Sequence, residues 1–251
     1  MTTDHGRAAS RTPRNSSARA SGPASGSDLA LARLLQLASP SLPVGAYSYS
    51  QGLEAAVEAG IVRDAPGAER WIGEVLAYSL ARLEAPVWWR LHGAWCDADA
   101  GRAAHWNELF CSTRESAELR AETLQMGYSL QRLLLEVGDF GAAALAQLRG
   151  VKDITFPAAY TFAVAQWQIP ARSALIAYLW AWLENQVMAA LKSVPLGQTD
   201  GQRLLFRLAA LLPGIADEAA ALADADLCNY APGLAILCSR HETQYSRLFR
   251  S

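Results

Sequence analysis

Residues 170–193, which read PARSALIAYLWAWLENQVMAALKS, are the stretch that decides the fold. A helix that is apolar on nearly every side is buried at the centre of a helical assembly or between two neighbours. This stretch is apolar all round, with the following large side chains: Leu175, Ile176, Tyr178, Leu179, Trp180, Trp182, Leu183, Val187 and Leu191. Its longest apolar run, 173–183, is shorter than the roughly 20 residues that span a bilayer. The stretch therefore predicts a central core helix and not a membrane anchor.

The rest of the chain also favours helices over strands. From Asp28 onward Ala, Leu, Glu, Arg and Trp dominate, while Val, Ile and Thr are sparse. Gly and Pro residues divide 28–251 into about nine or ten helices. We predict an all-α, single-domain bundle around the 170–193 helix. Residues 1–27 are rich in Ser, Gly, Pro, Ala and Arg without an apolar stretch, which predicts a disordered tail and no signal peptide.

Charge and cysteine content narrow the class of protein. The 251 residues carry 22 Lys and Arg against 24 Asp and Glu, a formal net charge of −2. This balance provides no overall field that would draw the protein to nucleic acid or to an anionic membrane. The four cysteines, Cys96, Cys111, Cys228 and Cys238, are scattered without a C-x-x-C pair. We expect a reduced cytoplasmic protein with buried thiols.

Catalytic motifs are missing from the sequence. It contains no P-loop, dinucleotide-binding, H-E-x-x-H or G-x-S-x-G motif, so we predict no enzyme and no cofactor. Ser48, in GAYSY (45–49), only loosely resembles a nucleophile elbow, because the second Gly is missing. A capping box of Ser48 with Gln51 at the start of a second helix is the simpler interpretation. A hydrolase that uses Ser48 remains one alternative hypothesis.

Two His–Cys pairs have spacings that bring them to one helix face. They are His92 with Cys96 and Cys238 with His241. A stable soft-metal site needs three or four ligands, so we expect buried thiols and hydrogen-bonded histidines, and no resident metal. A metal-carrying protein that uses Cys238 and His241, with Cys228 as a third ligand, is a second alternative.

Polar residues occur where a packed helical core would not need them. Glu184, Asn185 and Gln186 interrupt the most apolar helix, and the closing residues 239–251 mix Arg with aromatic side chains. Exposed aromatic and Arg residues are the usual anchors of protein interfaces, and a frayed end is the alternative interpretation of residues 239–251. A further acidic group, predicted to form a solvated or interface face rather than a catalytic set, consists of Glu115, Glu118 and Glu122.

Four blocks of sequence carry a specific resemblance. They are LLQLASPSLPVGAYSYSQGLE (34–54), WLENQV (182–187), KSVPLGQTDGQ (192–202) and RHETQYSRLFR (240–250). In order and spacing these blocks resemble the urease accessory protein UreF family, over residues 28–251. Two positions depart from the family's pattern, since Ala46 replaces a frequent Gly and Phe156 replaces a frequent His. The second departure removes one potential polar contact.

The resemblance implies an all-helical, dimer-forming cytoplasmic scaffold without catalysis of its own. Members of this family join UreD, also called UreH, and the GTPase UreG in a complex that docks on the urease apoprotein. GTP hydrolysis by UreG drives nickel insertion, and UreF is proposed to gate the GTPase and to line a route for the metal. A nickel-binding metallochaperone that uses Cys238 and His241, suggested by their spacing, is the alternative to this scaffold function.

The resemblance also implies which residues bind partners. Tyr47 and Tyr49 would lie on a loop that faces UreG, and Lys192 would tune that encounter. The Arg residues of the closing block would order the C-terminal segment and contact UreD or UreG. The full set of expected partner-binding residues is Tyr47, Tyr49, Glu54, Lys192, Gln198, Arg240, His241, Tyr245, Arg247, Phe249 and Arg250.

Overall fold

The computed structural model describes residues 1–2 and 26–251, and all regular structure in that range is helical. The α-helices are α1 Gly26–Leu37, α2 Leu53–Glu58, α3 Ala65–Val75, α4 Ala85–Cys96, α5 Ala100–Ser112, α6 Ala117–Val137, α7 Ala142–Gly150, α8 Phe156–Gln166, α9 Ala171–Ser193, α10 Gln198–Ala209, α11 Leu212–Ala221 and α12 Pro232–His241. A π-helix, Leu76–Glu84, joins α3 to α4, and short 3-10 turns occupy Ala46–Ser48 and Asp224–Asp226. The predicted all-α fold is confirmed. The predicted disordered tail, apart from its last two residues in α1, lies almost wholly outside the described residues.

Helix α9 lies at the centre of the bundle. It contacts α1, α2, α3, α4, α8, α10 and α11. Leu175, Leu179 and Leu183 of this helix are fully buried. Neighbours on several sides explain why α9 has no consistent polar face.

Helices α4 and α8 form a second buried layer. Trp88 and Trp95 of α4 and Tyr160 and Phe162 of α8 are among the largest fully buried side chains in the described part of the chain. The Trp95 indole also donates a hydrogen bond to the carbonyl of Ala158 at 3.0 Å, so its polar atom is satisfied inside the core. The burial of α8 was not predicted from the sequence.

The π-helix is hydrogen-bonded to two distant parts of the chain. The carbonyl of Tyr78, within the π-helix Leu76–Glu84, accepts a hydrogen bond from the backbone N–H of Tyr230 at 3.0 Å. The π-helix ends at Glu84, whose carboxylate accepts a hydrogen bond from the Tyr178 hydroxyl of α9 at 2.6 Å. The π-helix therefore places the Glu84 carboxylate in the interior, and π-helices often occur near functional sites.

Helix α6 approaches the backbone before α8 unusually closely. It begins at an N-cap, Ser116, whose hydroxyl accepts from the N–H of Leu119 at 3.1 Å. Further along α6, a Cβ added to Gly127 would overlap the carbonyl oxygen of Ile154 and lie 2.6 Å from the carbonyl carbon of Thr155. Only glycine allows this approach, which sets the position of α6 and of the acidic residues on it.

In the described range, no helix combines the length and apolar character needed to cross a lipid bilayer.

Candidate functional site

The C-terminal segment, defined here as residues 246–251, folds back across the loop that precedes α2. The backbone N–H of Arg250 donates to the carbonyl of Ser48 at 2.8 Å. In return, the N–H groups of Ser50 and Gln51 donate to the carbonyl of Ser251 at 2.6 and 3.1 Å. These bonds attach the C-terminal segment to a loop about 200 residues away in the chain.

Glu54 of α2 binds the backbone of the C-terminal segment from inside the protein. Its two carboxylate oxygens accept hydrogen bonds from the backbone N–H groups of Leu248 at 2.7 Å and Phe249 at 3.0 Å. One of them also lies 3.1 Å from Nε2 of His241 in α12. Glu54 is only 7% exposed, so the carboxylate is removed from water and depends on these protein donors.

Glu118 and Glu122 of α6 complete the anchoring site, which we call the carboxylate cluster together with Glu54. Glu118 lies 2.7 Å from Nδ1 of His241 and accepts a hydrogen bond from Arg247 at 2.5 Å. Glu122 is 5% exposed and accepts from the Ser251 hydroxyl at 2.9 Å. Of the two predicted environments, a solvated or an interface face, the solvated one is wrong for Glu118 and Glu122, because α2, α12 and the C-terminal segment cover this side of α6.

The loop before α2 is also held in a way that the sequence did not predict. Helix α2 begins at Leu53 with Gly52 as its N-cap, at φ 79°, and the Ser50 hydroxyl accepts a hydrogen bond from the N–H of Glu54 in its first turn at 3.3 Å. The expected capping box of Ser48 and Gln51 is therefore wrong. The Gln51 amide instead donates to Glu122 at 2.6 Å and accepts from the Trp182 indole at 2.6 Å.

The pKa of the Glu122 carboxyl group is raised well above its usual value. Burial raises its pKa from 4.5 to about 7, and the nearby carboxylate of Glu84 acts in the same direction. The hydrogen bonds from Gln51 and Ser251 and the charge of Arg114 lower the pKa, but they offset burial only in part. The carboxyl group therefore changes its charge near neutral pH while it touches the C-terminal segment.

Replacing Glu122 with Gln is expected to weaken the pH dependence of stability near neutrality. Because the folded-state pKa is raised, the favourable contribution of Glu122 is complete below pH 4.5 and is lost as the pH rises through about 7. Between roughly pH 6 and 8 the parent should therefore lose about 1–2 kcal/mol of unfolding free energy that the E122Q variant retains. Urea denaturation at both pH values measures this difference. Glu136→Gln, an exposed site on the same helix, is the control, and an unchanged slope in E122Q would contradict the assignment.

The polar interruption of α9 has a local structural role. Glu184 accepts a hydrogen bond from the Tyr47 hydroxyl at 3.2 Å, and the amide of Asn185 donates to the carbonyl of Tyr49 at 3.0 Å. Burial and the charge of Glu184 raise the pKa of Tyr47 to about 12, so its hydroxyl remains a donor. These contacts fix the loop on which the C-terminal segment docks.

The expected partner-binding residues differ in their burial and are buried, half-buried or exposed. Four of them are buried and support the C-terminal segment or its loop from inside: Tyr49, Glu54, His241 and Phe249. Tyr47 is half-buried at the edge of that loop, and six others are exposed: Lys192, Gln198, Arg240, Tyr245, Arg247 and Arg250. The ammonium of Lys192 lies 5.5 Å from the ring centre of Phe249, and the Tyr245 side chain is fully exposed. Gln198 begins α10 and does not contribute to the docking of the C-terminal segment.

Several residues of the site were not singled out by the sequence. They are Ser50, Leu248 and Ser251 in addition to the inward orientation of Glu118 and Glu122. Their contacts join residues more than 100 positions apart, and no local pattern in the sequence reports such pairs.

The geometry does not favour the two alternative hypotheses. Both ring nitrogens of His241 face carboxylates, and burial raises the pKa of Cys238 to about 12, which disfavours the thiolate that binds metal. Cys96 is exposed rather than buried as expected, with its sulfur 3.6 Å from Nε2 of His92. Among the described residues, no group of three or more His, Cys, Asp or Glu side chains is arranged to hold a metal ion. Ser48 lies in a 3-10 turn instead of the strand-to-helix turn of a nucleophile elbow.

Comparisons with a family model and with individual proteins all match this chain to UreF proteins. The family model for UreF matches residues 62–209. The chain is 59% identical over 225 residues to the urease accessory protein UreF of Azoarcus sp. (strain BH72), covering 89% of this chain and 96% of that protein. It is 52% identical over 224 residues to the protein of the same name from Dechloromonas aromatica (strain RCB), covering 89% and 98%. It is also 50% identical to the bifunctional urease accessory protein UreEF of Bordetella bronchiseptica, covering 88% of this chain and 52% of that protein.

Proposed function

Because the chain belongs to the UreF family of urease accessory proteins, we propose that it acts in urease maturation as a non-catalytic scaffold. In this proposal a homodimer of the chain bridges UreD, or UreH, and the GTPase UreG in the cytoplasm. The assembly acts on the urease apoprotein, and GTP hydrolysis by UreG drives nickel insertion into urease. The chain itself supplies binding surfaces and modulates GTP hydrolysis, and it makes or breaks no bonds.

The outward face of the docked C-terminal segment carries this proposal. The carboxylate cluster holds the segment from inside, so its conformation is fixed before a partner arrives. Leu248 presents exposed apolar surface and lines one shallow groove with Lys192 and Arg250, and Tyr245, directly before the segment, is fully exposed. A preorganised surface with aromatic and Arg anchors loses little entropy on binding, which is favourable for an interface.

The groove also has an unbalanced charge. Among the ion pairs of the described residues, none involves Lys192 or Arg250. Two cations without a carboxylate partner favour an acidic surface on the protein that docks there. The matched region covers about half of the bifunctional UreEF relative. In that protein a region similar to this chain is therefore joined to a second accessory function, which supports a role for this chain beside other accessory proteins.

Reversing both charges of the groove should weaken partner binding without unfolding the chain. The double variant Lys192→Glu, Arg250→Glu is expected to bind UreD and UreG at least about 10-fold more weakly and to reduce urease activation in parallel. Co-purification at two salt concentrations and a urease activation assay measure these effects.

The control is the variant Arg132→Glu, Arg149→Glu, which makes the same change in net charge at exposed positions on α6 and α7. It should bind like the parent, and circular dichroism should show full helicity for both variants. Parental binding by the Lys192 and Arg250 variant would refute this placement of the interface.

A further inference from the structure

A cavity lies inside the bundle between the loop 38–47 and helices α6, α8 and α9. Its volume, measured as the space open to the centre of a water-sized sphere, is about 80 Å³. One water needs about 10–15 Å³ on the same measure, so the cavity has room for several waters or for one small organic molecule. Its walls are mainly apolar and aromatic, and the aromatic members are Tyr47, Phe110, Phe156, Tyr160, Tyr178 and Trp182.

Two hydrogen-bond donors in the wall have no partner. The hydroxyl of Tyr160, a fully buried residue, and Nε of Arg114 are both removed from solvent, and neither has a hydrogen-bond partner among the described residues. Buried donors are rarely left unpaired, and an exception calls for an occupant or a function. Both residues line the same cavity.

The two carboxylates in the wall already accept hydrogen bonds from the protein. Glu84 accepts from the Tyr178 hydroxyl at 2.6 Å and from Arg114 Nη1 at 3.3 Å. Glu122 accepts from Gln51 at 2.6 Å and from the Ser251 hydroxyl at 2.9 Å. Two hydrogen-bond donors of the cavity wall are therefore unpaired, and a ligand that fits the cavity must supply an oxygen that accepts from them.

The charges in the wall select against anions. Arg114 and Glu84 form an ion pair at 3.3 Å and offset each other, which leaves the Glu122 carboxylate as an additional negative charge. A second anion beside it would be repelled strongly, because the walls are mainly apolar and screen charge poorly. The aromatic walls, which include Phe156, fit the apolar part of a small ligand.

We propose that this cavity is a binding site for a small uncharged amide, whose carbonyl oxygen accepts a hydrogen bond from the Tyr160 hydroxyl, with Arg114 Nε as the second donor. The amide N–H₂ faces the carboxylate of Glu122, which retains lone pairs for it. The Glu122 carboxylate links this site to the C-terminal segment through the Ser251 hydroxyl, but the inference does not rest on the scaffold function.

Titration of the ¹⁵N-labelled full-length chain with acetamide tests the proposal by NMR. A ligand of four heavy atoms has a limited affinity, so we expect saturable shifts at cavity residues with a Kd of about 1–10 mM. Tyr160→Phe keeps the ring and removes the donor, and it should weaken acetamide binding about 10-fold. Tyr128→Phe, at an exposed tyrosine, is the matched control and should bind like the parent.

Two further measurements keep the test decisive. Acetate, which has the same size as acetamide and a negative charge, should bind at least about 10-fold more weakly at pH 8. Phe156→Trp, which fills the cavity, should abolish acetamide binding even if Tyr160→Phe proves unstable. Absence of saturable shifts up to about 100 mM acetamide, parental affinity in Tyr160→Phe, or acetate binding as tightly as acetamide would each overturn the proposal.

Discussion

Replacing Glu54 with Gln is expected to release the C-terminal segment and to lower the free energy of unfolding by about 3 kcal/mol. The parent carboxylate accepts from two backbone N–H groups, of Leu248 and Phe249, and also faces His241. Gln has the same shape but one acceptor oxygen and no charge, so at least one buried donor loses its partner. Urea denaturation measures the loss of stability, and trypsin cleavage after Arg247 measures release of the segment.

Glu58→Gln provides the matched control for this prediction. Glu58 is on the same helix as Glu54 but is exposed. Its substitution should change stability by less than about 0.5 kcal/mol and leave Arg247 as protected as in the parent. If Glu54→Gln showed parental stability and protection from trypsin, the carboxylate would not be the anchor of the segment.

The central helix and the overall class of fold were predictable from local patterns. The residues 170–193 are apolar on all sides, and a helix with this pattern is buried wherever it occurs. The polar break at 184–186 was also visible, but its role was not. In the structure Glu184 and Asn185 bind the loop around Tyr47 and Tyr49, and that role depends on how distant parts of the chain are placed.

The orientation of the acidic residues on α6 was not predictable in the same way. Glu115, Glu118 and Glu122 have the spacing of an ordinary charged helix face, but Glu115 precedes the N-cap of α6 and is exposed. Glu118 and Glu122 instead face His241, Arg247 and Ser251, which follow more than 120 positions later. Helical periodicity identifies which residues share a face, whereas only the tertiary packing determines what covers that face.

Replacing Gly127 with Ala is expected to produce the largest loss of stability, about 3–4 kcal/mol. The new methyl group would overlap the carbonyl oxygen of Ile154, and backbone atoms cannot rotate away as a flexible side chain can. Helix α6 must therefore move away from the 154–155 backbone. Thermal and urea denaturation measure the loss of stability, and trypsin cleavage after Arg247 reports on the C-terminal segment.

Gly214→Ala separates this steric effect from the intrinsic effect of removing a glycine. Gly214 lies in α11 with nothing within 4 Å of an added Cβ, so this variant should gain roughly 0.5 kcal/mol. In Gly127→Ala the shift of α6 should also separate Glu118 and Glu122 from the segment that they hold. Stability and segment release should then change together, because one glycine determines the position of both carboxylates. A Gly127→Ala variant that lost stability while its C-terminal segment stayed fully protected would show that the docking site tolerates movement of α6.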